Sequence, residues 1–483
     1  MICISVAPTS RRLALADLFN AAKQCDLIEL CLDQFARTPD VGALIESVDK
    51  PILVSCRNQR DGGQWQGTEE DRIRLLRNAI VAGPAYVELD FEIAEQVPRF
   101  GDTKRVIGYT NLNGPLDQAA VDQVFERCWK AKADVVKFTW LTETLDDTWP
   151  LLAAATQHRE LPVVGKGIGP SGLAFSLLGR RYGSPWIYAA LERGMETCDG
   201  EVTVSQLENE YCWSDVTRQT RFVGVVGRGP AENATARILN AAFKEFEVPV
   251  RCLPLVPSRP DRLRKMLEVL KIHALIINSE YTDDMRHLVD DLHRTVGSDG
   301  YMDLLSEKQG RWKARATLFD SIDTAAASVR KGDNWAQGRA ILVIGSDSLS
   351  VSMASRFREM KSAVSLAAPS DNLAVRAAKK ADVRHVPWNA IHSLVVEGVV
   401  LTDASVKCGT ARGELNPSLL RERLTVVDLL SYPAESPIAE EARARGCHYV
   451  SPSMIFAGQL QNQFGYLTGK SLPLEAFQKG LAE

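Results

Sequence analysis

The sequence predicts an α/β protein in two parts, an N-terminal (β/α)8 TIM barrel followed by a second α/β half that ends in a nucleotide-type fold. Three observations predict it. Between Met1 and about Cys212, short β-branched runs alternate with amphipathic stretches, which implies parallel strands joined by helices. The polar stretch 209–219 then leads into Phe222-Val223-Gly224-Val225-Val226-Gly227, a fresh strand ending in glycine. A third block opens near Gly338, where a strand over 340–345 meets the helical pattern 349–360.

Taken in order, the barrel strands are expected at 2–6, 27–32, 52–56, 85–89, 106–109, 135–138 and 163–165, with an eighth at 186–191. Eight such units in about 200 residues fit a closed barrel, whose chemistry belongs at the C-terminal ends of its strands. No internal repeat or low-complexity tract interrupts the pattern.

A chain of 483 residues, 45% hydrophobic and 24% charged, is too long for one core. Its net charge of -4, without a long basic or acidic run, gives no reason to expect nucleic acid or a membrane as partner. Ten scattered cysteines, with no CxxC and no Cys/His cluster, predict reduced thiols and no metal site. The N-terminus enters its first strand directly, and no run reaches the roughly 20 apolar residues of a membrane span. A cytoplasmic protein acting on small molecules is expected.

Lys137 closes the apolar run Asp134-Val135-Val136-Lys137-Phe138. Burying an ammonium among apolar neighbours favours the free amine, so Lys137 is a candidate nucleophile. Around it, Glu29 in "IELCLD", Arg57 and Asp61 in "SCRNQRDGG", and "YTNLNGP" from Tyr109 follow at strand ends. With these motifs and "GSPWIYAALE" from Gly183, residues 1–207 resemble type I 3-dehydroquinate dehydratase. The resemblance implies that Lys137 forms a Schiff base with the ketone of 3-dehydroquinate, the iminium acting as electron sink while water leaves.

Several positions depart from that family. Its histidine acid/base is Thr110 here, and a hydroxyl is a poor proton acceptor where general-base work is worth about 10²–10⁴ in rate. His158, which precedes strand seven, is expected at the opposite face of the barrel. The family's arginine near Glu29 is Cys31, its carboxylate-clamping arginine is Ser176, and its glutamine in a "PGQ"-like loop is Glu201. Without the bidentate arginine a carboxylate substrate is held less strongly. Glu29, Arg57 and Asp61 remain as substrate contacts, with Thr197 keeping a hydroxyl near a family serine. Lys166 shares a strand face with Ile168, so it is expected in the pocket of Lys137, or else paired with Glu201 or Asp61.

From Val223 to the C-terminus the chain resembles shikimate dehydrogenase, most clearly in "ILNAAFKEF", "VVDLLSYPAESPIAEEARARGC" and "QLQNQFGYLTG". The resemblance divides it into a substrate domain, 220–325 plus 460–483, and a Rossmann-like domain, 326–459, after a barrel over 1–212. It implies substrate contacts from Thr235, Asn278, Asp320 and Gln459. The expected catalytic lysine is Thr282, however, and the phosphate loop reads Gly345-Ser346-Asp347-Ser348. Gly345, Ser346 and Ser348 would face a dinucleotide, but Asp347 replaces a glycine that lets backbone N–H groups approach pyrophosphate. Ala367-Ala368-Pro369-Ser370 also lacks a base for a 2′-phosphate. NADP, implied by the resemblance, is therefore not expected to bind.

Together these features imply a homologue of the fused dehydratase and dehydrogenase of aromatic amino acid biosynthesis, its dehydrogenase half inactive. Its substrate is expected to be a small carbonyl compound or a cyclohexene or cyclohexane acid, and a homo-oligomer is compatible. Alternative readings are a Schiff-base lyase or aldolase on another carbonyl compound, or a non-catalytic scaffold.

Overall fold

The computed structural model describes the chain except residues 153–159, 228, 257–259, 331–333, 412, 431 and 482–483. His158 therefore lies outside the described residues. The described residues form two compact units, Met1–Phe222 with Phe246–Ile272, and Val223–Glu245 with His273–Glu483.

Eight parallel strands build the first unit: β1 (Ile2–Val6), β2 (Leu27–Cys31), β3 (Ile52–Ser55), β4 (Tyr86–Asp90), β5 (Lys104–Asn111), β6 (Val135–Leu141), β7 (Val163–Ile168) and β8 (Ile187–Ala189). Their order, β7-β6-β5-β4-β3-β2-β1-β8, is that of a (β/α)8 barrel, although no ladder joins β7 to the three-residue β8 among the described residues. Strand alternation stacks the interior in layers. The lower layer is apolar, with Cys3, Leu27, Leu53, Val106, Val135, Val164 and Trp186. Two residues further along six of the strands, Ser5, Glu29, Ser55, Glu88, Lys137 and Lys166 are all buried. A polar chamber therefore sits on an apolar floor, toward the C-terminal ends of the strands.

Strand β9 (Arg221–Val226) opens the second unit, and β10 (Val250–Leu255) falls in the returning segment of the first. The second unit's first sheet runs β9, β11 (Ile272–Ile277), β13 (Leu304–Lys308), β14 (Arg311–Arg315), β12 (Asp291–Leu292). Its other sheet holds β15 (Ala340–Ile344), β16 (Ala363–Ala367), β17 (Arg384–His385), β18 (Gly398–Leu401), β19 (Thr425–Asp428) and β20 (His448–Val450), all parallel, in the order β17-β16-β15-β18-β19-β20. This is the doubly wound dinucleotide-fold order, which puts a crevice where the winding reverses, between β15 and β18. Gly480 in helix Leu474–Leu481 approaches Ile238 in helix Pro230–Glu245 so closely that an added Cβ would lie 2.4 Å from it. No described helix is long and apolar enough to cross a membrane.

Candidate active site

Lys137 projects from β6 into the polar layer and is 1% exposed. Its Nζ donates to Glu88 Oε2 at 2.7 Å and lies 3.8 Å from Glu29 Oε1. A buried ammonium persists only beside such partners. Glu29 is itself fixed by Ser5, whose hydroxyl donates to Oε2 at 2.5 Å. Burial works against the charged carboxylate, but Lys137, Arg57 and Lys166 outweigh it and hold Glu29 well below the usual range.

Lys166 enters the same layer from β7. Its Nζ donates to Thr197 Oγ1 at 2.7 Å and to Glu201 Oε1 at 3.2 Å. Burial pushes its ammonium down, but Glu201, with Cys198 and Glu29, lifts it above the ordinary lysine range. Both lysines point at one ring, with Nζ of Lys137 4.6 Å and Nζ of Lys166 4.7 Å from the Tyr188 centroid. Lys166 therefore occupies both expected settings, the Lys137 pocket and the pair with Glu201.

Arg57 follows β3 on the rim. Asp33 fixes its backbone N–H at 3.1 Å, and Nη2 reaches Cys31 Sγ at 3.7 Å. Arg57 Nε, Glu29 Oε1 and the Tyr188 hydroxyl have no hydrogen-bond partner among the described residues. Thr110 lies two residues beyond Gly108 on the same face of β5, and a Cβ at Gly108 would sit 3.3 Å from Glu88 Oε1. Asp61 pairs with Arg60 at 3.5 Å, and Ser176 is half-buried on helix Gly172–Arg181. Among the described residues no three His, Cys, Asp or Glu side chains could hold a metal ion.

Residues 2–218 match the family model for type I 3-dehydroquinase. That match spans the eight strands of the barrel. The chain is 26% identical to a 3-dehydroquinate dehydratase of Desulfotalea psychrophila over 223 residues, 44% of this chain and 96% of the relative. Over 94% of its length the chain is 21% identical to the chloroplastic bifunctional 3-dehydroquinate dehydratase/shikimate dehydrogenase of Arabidopsis thaliana, covering 79% of it. The solved dehydroquinate dehydratase and shikimate dehydrogenase from S. pombe is similar at 16% identity and a TM-score of 0.44, with 99% of this chain and 98% of that one covered.

Sequence reasoning missed two members of the polar layer around Lys137, Glu88 and Tyr188. A signal for Glu88 existed: in "VELD" the acid is flanked by Val87 and Leu89 as Glu29 is by Ile28 and Leu30. An acid in the middle of a buried strand faces either a partner or the chamber.

In the second unit a cavity of about 350 Å³ is lined by Thr235, Asn278 and Gln459 together with Asp347 and Thr402. The Thr235 hydroxyl donates back to Ala231 O at 2.8 Å, and Asn278 Nδ2 donates to Glu232 Oε1 at 2.7 Å. Gln459 Nε2 donates at 3.1 Å to Asp303, a fully buried acid that also accepts from Thr317 and Leu318. Burial raises the Asp303 carboxyl to about 6 against those bonds. Asp320 is exposed, so the acid that reaches Gln459 is Asp303.

Asp347 caps helix Ser348–Glu359, accepting from Ser350 N at 2.7 Å, from the Ser350 hydroxyl and from Thr402 Oγ1 at 3.3 Å. At Gly345, with φ of +149°, a Cβ would lie 2.0 Å from Thr402 Oγ1. Thr402 already accounts for that glycine. The Asp347 carboxylate thus occupies the N-terminus of this helix, beside Ser346 and Ser348, the kind of position that attracts anions.

Proposed function

We propose that the barrel is a Schiff-base carbon–oxygen lyase of the dehydroquinase type, with Lys137 as nucleophile and Glu88 as proton carrier, and that the second unit works without a nicotinamide cofactor. The observation that carries this reading is the 2.7 Å contact between Lys137 Nζ and Glu88 Oε2 inside the buried polar layer of the barrel. With threonine at position 110, Glu88 is the acid/base group in direct contact with the nucleophile.

Lys137 gives a proton to Glu88, and its free amine adds to the carbonyl carbon of a cyclic β-hydroxy ketone such as 3-dehydroquinate. Glu88 returns the proton as the carbinolamine oxygen departs as water, leaving an iminium. The iminium draws electrons as a carboxylate of the chamber removes the α-proton, giving an enamine. The enamine pair then expels the β-hydroxyl, which leaves as water with that proton. Addition of water to the conjugated iminium releases the enone and restores Lys137.

Arg57 and Lys166 supply positive charge for a substrate carboxylate in place of an arginine at position 176. Because Lys166 is a point charge already shared with Glu201, this clamp is weaker than a bidentate guanidinium. The cofactor-free reading rests on Asp347 at the helix N-terminus and on the apolar stretch after β16. A cytoplasmic protein handling a small molecule, with neither membrane nor nucleic acid as partner, accords with the net charge of -4. Incubating the full chain with 3-dehydroquinate and borohydride tests the chemistry. Reduced adduct on the Lys137 peptide, with slow enone absorbance, is expected. Complete absence of adduct would remove the proposal.

A further inference from the structure

The cavity of the second unit carries charge of one sign. Among its described lining residues are Glu232, Glu280, Asp347 and Asp428, and none is Lys, Arg or His. Among the described residues, each of the three held carboxylates takes hydrogen bonds from neutral donors only. Glu232 accepts from Gly229 N and Asn278 Nδ2, both at 2.7 Å. Asp428 accepts from Leu430 N, Ser436 N and Tyr449 OH. Asp347 accepts from Ser350 and Thr402. Neutral donors orient a carboxylate without cancelling its charge, so the field in the cavity stays negative. Arg443, which feels Asp428, is taken up by Glu435 at 3.0 and 2.6 Å.

Two further features lie in the same wall. The rings of Tyr432 and Phe456 stack at 4.5 Å and 7°, offering a π-face that attracts cations. Gln463, 3% exposed, lines the cavity, and its amide makes no hydrogen bond among the described residues. An amide that lines a cavity without a protein partner offers both a donor and an acceptor to whatever enters.

We propose that this cavity binds a small organic cation, a ring-sized ammonium compound whose charge is met by Glu232, Asp347 and Asp428 and whose polar edge is met by Gln463. The inference stands apart from the barrel chemistry. It reverses the ligand charge, because a carboxylate or phosphate entering here meets repulsion and, among the described lining residues, no compensating cation.

Cyclohexylammonium and cyclohexanecarboxylate, which share a ring and differ in charge, are suitable probes for the full chain. Titration followed by ligand-detected NMR should give a millimolar Kd for the ammonium, at least tenfold tighter than for the carboxylate. Binding should weaken severalfold in Glu232→Gln and again between 50 and roughly 300 mM salt, and should survive Lys137→Met. The salt series needs no variant, so it stands even if Glu232→Gln misfolds. Equal or tighter carboxylate binding, no ammonium binding, salt-independent binding, or loss of the signal in Lys137→Met would each overturn the proposal.

Discussion

Lys166 Nζ and Glu201 Oε1 form an ion pair at 3.2 Å with side chains only 4% and 2% exposed. Removing one partner strands a charge in the barrel. Lys166→Met should cost about 3–5 kcal/mol of unfolding free energy, whereas Lys166→Met with Glu201→Leu should recover most of it. Chemical denaturation of the three proteins measures this. Equal stability of the single and double variants would mean that the pair is not coupled.

Glu88→Gln keeps the size and removes the proton acceptor beside Lys137. The rate of borohydride-trapped adduct formation should fall by about 10²–10⁴, and Glu88→Asp should recover part of it. A Glu88→Gln rate within threefold of wild type would assign proton transfer elsewhere.

Wild-type turnover of 3-dehydroquinate should lie well over tenfold below the enzyme median of about 10 s⁻¹. Thr110→His with Ser176→Arg should raise it, because position 110 lies on the strand face above Gly108 and Glu88. An enone assay on both proteins decides, and a fast wild type would show that Glu88 alone suffices.

Calorimetry should detect no binding of NADP or NADPH at micromolar concentration to the wild type. Asp347→Gly should change stability by only a few tenths of a kcal/mol, since glycine is a tolerable N-cap. A wild-type Kd near 1 μM, about -8 kcal/mol, would refute the cofactor-free reading.

Glu29 titrates in the folded chain far below its unfolded value of about 4.3. The folded state therefore binds fewer protons in acid. The stability contributed is present above that unfolded value and is lost as pH falls from about 5 downward. Glu29→Gln should flatten the fall in stability between pH 5 and 3. An unchanged slope would show that other carboxylates dominate.

The barrel was legible because each of its strands is a local apolar run, and Lys137 stood out as a charge at the end of one. Glu88 escaped notice in the same kind of run, because an acid next to Asp90 also reads as a solvated strand end. Asp320 is exposed, and position along a helix says nothing of which side faces the cavity. Asp303, on another strand, reaches Gln459 instead.

The sequence by itself determined the parallel strand and helix units and the acid in the phosphate loop, both properties of residues close in the chain. Only the tertiary structure decided the partners. Glu88 meets Lys137 across 49 positions and Glu201 meets Lys166 across 35, and both lysines converge on Tyr188 from separate strands. The physical reason is desolvation: barrel closure removes water from both ammonium groups, and only carboxylates brought near by the fold can stabilise them there.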